Sequence, residues 1–183
     1  MTEWAGSVVE QKLWFSRRFT FDTEPWAYPN LLERLRGTPS RLEDRLRGLD
    51  ATTLTTRVNG KWSIQENAGH LLDLEPVWAA RLDDFEHGRE RLSAADLQNR
   101  RTEEANHNAA NVADILSAFR RERGAIVKRL EGYDESLVVR ESLHPRLGQP
   151  MRLIDHVYFV AEHDDHHLAT ITALMSSVTR QAV

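Results

Sequence analysis

No cysteine occurs among the 183 residues. That absence excludes disulfides, thiolate metal ligands and a cysteine nucleophile together. Any thiol chemistry would need a thiol supplied from outside. No apolar run is long enough to cross a bilayer. Glu3, Glu10, Lys12, Arg17 and Arg18 interrupt the N-terminal stretch, so no secretory apolar segment forms there. A soluble, cytoplasmic protein is expected. Basic blocks are missing as well. The net charge is −4, and acidic and basic residues are interspersed, so neither nucleic acid nor a membrane surface is expected as a partner. No convincing run of strands occurs.

What is present reads as helix. The chain is long enough to bury a sizeable core as one domain spanning 1–183, and its 40% apolar content and five tryptophans fit a globular protein. Residues 1–29 form an aromatic-rich extension containing Trp4, Trp14, Phe15, Phe19, Phe21 and Trp26. These aromatics are expected to pack on the domain or on a second subunit; Pro25 and Pro29 argue against a long helix there. Residues 30–35 read as helix up to Gly37. Thr38-Pro39 reads as a start signal, and Leu42, Leu46 and Leu49 follow at helical steps. Together they predict one amphipathic helix bent at Gly37.

Residues 51–61 are polar, with a turn at Asn59-Gly60. Ser63-Ile64-Gln65-Glu66 then fits a capping box. It opens a helix to about residue 87, stopped by Gly88, with Pro76 predicting a kink. Residues 88–107 read as a surface connection. Residues 108–131 carry a third helical pattern, ended by Gly132. Residues 137–150 read as a loop, with Pro150 as the first residue of a last helix running to about 176. Four long helical patterns predict an all-α fold, a four-helix bundle with long connections, in which simple up-down order is not assured.

The chemistry is concentrated in Glu162-His163-Asp164-Asp165-His166-His167. Residues four apart on a helix lie about 40° apart around the axis, so His163 and His167 project from one face. Such a pair can share a divalent ion, but two ligands hold one poorly. His70, in the second long helix, is the best candidate for a third. Neutral imidazole suits zinc, nickel and similar ions, and a bundle interior lets ligands on facing helices converge. Three histidines would leave a position open for water or substrate. His166 points about 100° from His167 and is expected to face elsewhere. His156 lies about 10 Å along the axis from His163, too far to share an ion with His167 easily. His87, His107 and His144 read as surface or loop residues, with His144 near a site mouth. Glu66 reads as the partner of Ser63 in the cap. Asp73 reads as support for an imidazole or as solvated, and Glu162, Asp164 and Asp165 share that range of roles.

Two segments resemble the DinB/YfiT-like superfamily. Lys61-Trp62-Ser63-Ile64-Gln65-Glu66-Asn67-Ala68-Gly69-His70-Leu71 is similar to the start of that family's second helix, and residues 162–167 to its later His-x-x-His-His motif. Arg41-Leu42 and His144-Pro145 also fit. The resemblance covers about residues 30–176. It implies a four-helix bundle, often dimeric, with a divalent metal, usually zinc or nickel, on His70, His163 and His167. It implies no single reaction: some relatives are thiol-dependent enzymes, including mycothiol-dependent maleylpyruvate isomerase and bacillithiol transferases, and others are described as metal-dependent hydrolases.

The expected function is therefore a metal-dependent enzyme that activates water or a low-molecular-weight thiol against a small-molecule electrophile. A non-catalytic metal-binding or stress-related bundle is the alternative. A helical dimerisation module whose histidines bind nothing is the third reading.

Overall fold

The structure, a computed structural model, describes residues 10–181, with side chains described through residue 178. Trp4 of the aromatic extension lies outside the described residues. The first long helix, α1 (Tyr28–Leu46), carries Pro29 in its opening turn, where proline's missing N–H costs nothing. The short α2 (Ala51–Thr55) is capped by Asp50, whose side chain accepts the Thr53 N–H at 2.8 Å. Then comes α3 (Ile64–Glu86), opened by the expected capping box: Glu66 N–H donates to Ser63 Oγ (3.1 Å) and Ser63 N–H to Glu66 Oε2 (2.8 Å). The connection after it holds α4 (Arg100–Glu104) and a 3-10 turn at His107–Ala109. After α5 (Val112–Glu131) come α6 (Glu135–Val138), a small antiparallel hairpin of β1 (Glu141–Leu143) and β2 (Pro150–Arg152), and the long α7 (Leu153–Gln181).

Three local expectations need correction. Thr38-Pro39 does not start a helix: α1 runs through it unbroken, because Leu35 and Leu42 on either side are both buried in the bundle and packing overrides the local signal. Pro150 lies in β2 and the last helix begins three residues later, so 137–150 is not all loop. A three-residue strand is too short to show alternation. The polar stretch 51–61 contains α2, whose single buried apolar side chain, Leu54, is too little to give a pattern.

α1 packs against α5 and α7, and α3 packs against the same two helices. The first two long helices of the sequence therefore sit on opposite corners of the bundle. This is not simple up-down order, and the long connections are what allow it. All-α is the right class, with one two-stranded hairpin among the described residues.

The core is divided. One cluster includes Leu35, Trp78, Ile126 and Val160, and the other Leu42, Leu71, Phe119 and Leu168. Between them each long helix contributes one polar residue: Thr38, Glu75, Arg123 and Asp164, all buried. Arg123 Nη2 donates to Glu75 Oε1 at 2.6 Å and to Asp164 Oδ1 at 3.1 Å. Thr38 Oγ1 donates to Asp164 Oδ2 at 2.8 Å. One guanidinium thus serves two carboxylates. Burial, with the neighbouring Asp164 charge, pushes the Glu75 carboxyl up to about 7 despite Arg123.

Candidate metal centre

His70 comes from the second turn of α3, and His163 and His167 from successive turns of α7. The two helices pack together, so the three buried rings meet. Ring centroids are 5.4 Å apart for His70 and His163, 4.8 Å for His70 and His167, and 4.6 Å for His163 and His167. One nitrogen from each ring lies within 4.8 Å of the others; among the described residues no further His, Asp or Glu joins the group. His163 and His167 share a face, as a four-residue step requires, and the His70 ring lies beside them.

Hydrogen bonding orients the rings. Asn67 donates through Nδ2 to Ser63 O (2.8 Å), which leaves its Oδ1 to accept from His167 Nδ1–H at 2.9 Å. Thr102 spends its one hydroxyl hydrogen on Asp73 Oδ2 (2.9 Å), so its oxygen accepts from His70 Nδ1–H at 3.0 Å. Both rings are thereby assigned the tautomer with Nε2 unprotonated and free to ligate. His163 Nδ1 is buried with no hydrogen-bond partner. Burial, reinforced by the neighbouring imidazoles, holds His163 well below 6.5; burial and then His70 do the same for His167. Burial likewise lowers His70 to about 4. Three neutral imidazoles, two oriented by hydrogen bonds and one with a stranded nitrogen, suit a borderline divalent ion.

His107 is not a surface residue. It is 6% exposed, and its Nε2–H donates to Asp73 Oδ2 at 2.8 Å. It fixes Asp73, which holds Thr102, which holds His70. Gly69 makes room for it: a Cβ there would lie 2.3 Å from the His107 ring. The Gly-His pair thus has a packing reason that composition does not reveal. His144 is also buried, at the cavity wall rather than in exposed loop. His156 packs beside Trp78 and Phe85 and is not in the group. Glu66 is the cap partner and is also paired with Arg57. Glu162 and Asp165 pair with Arg34, and Asp165 also with Arg41, so neither supports a ring.

His70, His163 and His167 open on a cavity of about 460 Å³. Several aromatic rings line it: Trp62 lies 4.7 Å from the His70 ring, Trp78 5.7 Å from His163, and Trp14 4.9 Å from His163, edge-on. Trp14 belongs to the N-terminal segment, which crosses α7 and is tied there by Gln11 and Arg17 at His166 Nδ1 (2.8 and 3.2 Å). His166 faces this cavity, contrary to expectation, because the segment lies over it. The extension thus packs on its own chain through Trp14, Phe19 and Phe21.

Asn67 and Thr102 were not foreseen as parts of the site. Asn67 shares the i, i+3 face with His70, a signal that could have found it; Thr102 sits in a polar connection that offers none. Replacing Asn67 with alanine leaves His167 Nδ1–H unpaired. Metal affinity measured by competition with a chromophoric chelator should then fall about 10–100-fold, with helicity retained. Unchanged affinity would remove Asn67 from the site.

The sequence pattern of the DinB superfamily matches residues 34–171. No curated protein sequence matches. Among solved structures, YfiT from Bacillus subtilis, described as "a probable metal-dependent hydrolase with an unusual four-helix bundle topology", superposes with a TM-score of 0.79 at 17% identity, over 89% of this chain and 94% of that one. A mycothiol-dependent maleylpyruvate isomerase superposes with a TM-score of 0.64 at 14% identity, over 82% of this chain and 62% of that one. At these identities the two structures speak to fold alone, and the fold agrees. With the family pattern running across three-quarters of its length, the chain belongs to the DinB superfamily.

Proposed function

We propose that this chain is a metal-dependent enzyme in which His70, His163 and His167 hold a divalent ion, zinc or nickel, beside a small-molecule pocket. The observation that carries the reading is the junction itself: three neutral imidazoles, two of them oriented by hydrogen bonds, with no fourth protein ligand among the described residues, opening on a cavity that several aromatic rings line. An ion held there would supply Lewis acidity, acidifying a water or thiol and polarising an electrophile. The named relatives, one described as "a probable metal-dependent hydrolase" and one a mycothiol-dependent isomerase, support both choices of nucleophile. A thiol would have to be an external small molecule, since the chain has none.

The chain's own residues do the rest. Asn67 and Thr102 fix the rings. Trp14, Trp62 and Trp78 put apolar surface beside the three rings, a setting that strengthens electrostatics once a bound substrate displaces water. His166 is placed to orient a polar group in the cavity by hydrogen bonding. Gln11 and Arg17 donate to its Nδ1, so the neutral ring carries its hydrogen on Nε2. Burial and then Arg17 lower it to about 4, so it stays neutral at pH 7 and can donate through Nε2–H.

The setting we propose is a cytoplasmic homodimer without nucleic-acid or membrane partners. No described helix is long and apolar enough to cross a membrane. Trp26 is 74% exposed and Phe15 56%, apolar surface that a second copy could cover. Sedimentation of the wild type and a Trp26→Ser variant reads this: a monomeric wild type rejects the dimer.

The competing reading is a non-catalytic metal-binding or stress-related bundle, which needs a closed ion. Azide added to the cobalt-substituted protein separates the two. The enzyme reading predicts a change in the visible spectrum as azide enters the open position; a silent spectrum favours the closed site.

A further inference from the structure

Away from the histidines the same cavity is lined by two arginines, Arg81 on α3 and Arg146 in the turn of the hairpin. Nineteen ion pairs are present among the described residues, and neither arginine takes part in any of them. Arg81 is only 2% exposed. Its Nε donates to Ser93 O at 2.9 Å, and its Nη1 lies 3.2 Å from His144 Nε2. His144 also faces the Leu147 N–H, 3.1 Å from Nδ1. A neutral imidazole has one acceptor nitrogen, so it satisfies one of these two donors and leaves the other over. Arg146 Nη2 is buried with no hydrogen-bond partner. The nearby acids are otherwise engaged: Asp84 with Ser93 N–H and Arg89, and Asp96, the one acidic lining residue, with the N–H groups of Gln98 and Arg100.

Arg81 is buried and Arg146 half-buried with one buried nitrogen, and neither is hydrogen-bonded to a carboxylate, although the Asp84 charge acts on Arg81; such groups are costly unless something else completes them. Between them and the histidines stand two rings. Trp78 lies under the Arg81 guanidinium (5.3 Å) and 5.7 Å from His163, and Phe159 lies 5.9 Å from the Arg146 guanidinium. The cavity is thus cationic at one end, aromatic in the middle and ligand-bearing at the other.

We propose that the cavity takes a small organic anion, its carboxylate or phosphate held by Arg81 and Arg146 and its apolar body lying between Trp78 and Phe159. The anionic end is then distant from the reacting end, which lies over His70, His163 and His167. Guanidinium forks match both carboxylate and phosphate. This rests on the reading of the cavity as a substrate pocket, but the arginine end stands on contacts that involve no metal.

The test is titration of the full-length protein with phenylacetate, phenyl phosphate and neutral phenylacetamide, followed by quenching of the pocket tryptophans. It is run on metal-loaded and metal-depleted protein, in wild type, Arg146→Gln and Arg81→Lys. Both anions are expected to bind more tightly than the amide, and the tighter of the two identifies the headgroup. Each substitution should weaken the tighter anion about tenfold or more and leave the amide unchanged, in both metal states. Circular dichroism confirms the fold, and Arg146→Gln, at a half-buried turn position, remains interpretable if Arg81→Lys fails to fold. Equal binding of amide and anions, or anion binding indifferent to Arg146, overturns the proposal. Anion binding that needs metal and ignores the arginines also overturns it, while supporting the ion site. A protein that takes up no metal yet shows the arginine effect refutes the ion and keeps the anion pocket.

Discussion

Replacing His70 with alanine is expected to take metal binding from one ion per chain to background, with most of the helicity intact. The ring is the only one of the three that α3 supplies; without it the ion would rest on two imidazoles from one helix. The loss should exceed the 10–100-fold typical of a supporting residue such as Asn67. Folding should survive because His70 borders a cavity rather than filling the core. His156→Ala is the control: it is equally buried on α7 but stands outside the group, so that variant should keep full stoichiometry whatever it costs in stability. Elemental analysis of tag-free protein reads both. Full occupancy in His70→Ala would reject the three-histidine assignment.

The second large effect concerns stability. Arg123 is 1% exposed and stands between Glu75 and Asp164, themselves 2% and 0% exposed by side chain. Arg123→Leu would leave two buried carboxylates without a cation. Breaking a buried ion pair from one side typically costs about 3–5 kcal/mol, and urea unfolding at pH 8 should show a loss of that order. The loss should shrink at pH 5, because protonation neutralises the stranded acids. Wild type has a pH slope of its own. Glu75 is raised from 4.5 to about 7 in the fold, so the folded state holds a proton that the unfolded chain has released. Its contribution is full below about 4.5 and is lost as pH rises through about 7. Glu75→Gln should flatten that part of the profile. A variant as stable as wild type at pH 8 would mean that Arg123 stabilises no buried charge.

What could be read from the sequence follows a physical division. Long helices declare themselves because each repeats its apolar face several times; Leu71, Trp78 and Phe85 on α3 are an example. His163 and His167 were legible for the same reason, since a four-residue step fixes a shared face. The hairpin was not, because Glu141–Leu143 and Pro150–Arg152 are too short to show a period. Its consequence is the placing of Arg146 and His144 at the cavity. His107 and Thr102 read as surface because their segment is polar. They are buried because a missing Cβ at Gly69 lets that segment close on α3. Thr38-Pro39 shows the reverse error, a strong local signal overruled by packing on both sides. The N-terminal aromatics were seen, but their place over His163 and His166 depends on contacts with α7, more than 140 residues away in the chain.

The most direct test of the account is X-ray absorption on tag-free protein reconstituted with one equivalent of zinc. Three imidazole nitrogens at about 2.0–2.1 Å and one oxygen ligand from solvent are predicted. Four protein ligands, fewer than three imidazoles, or no bound ion would contradict it.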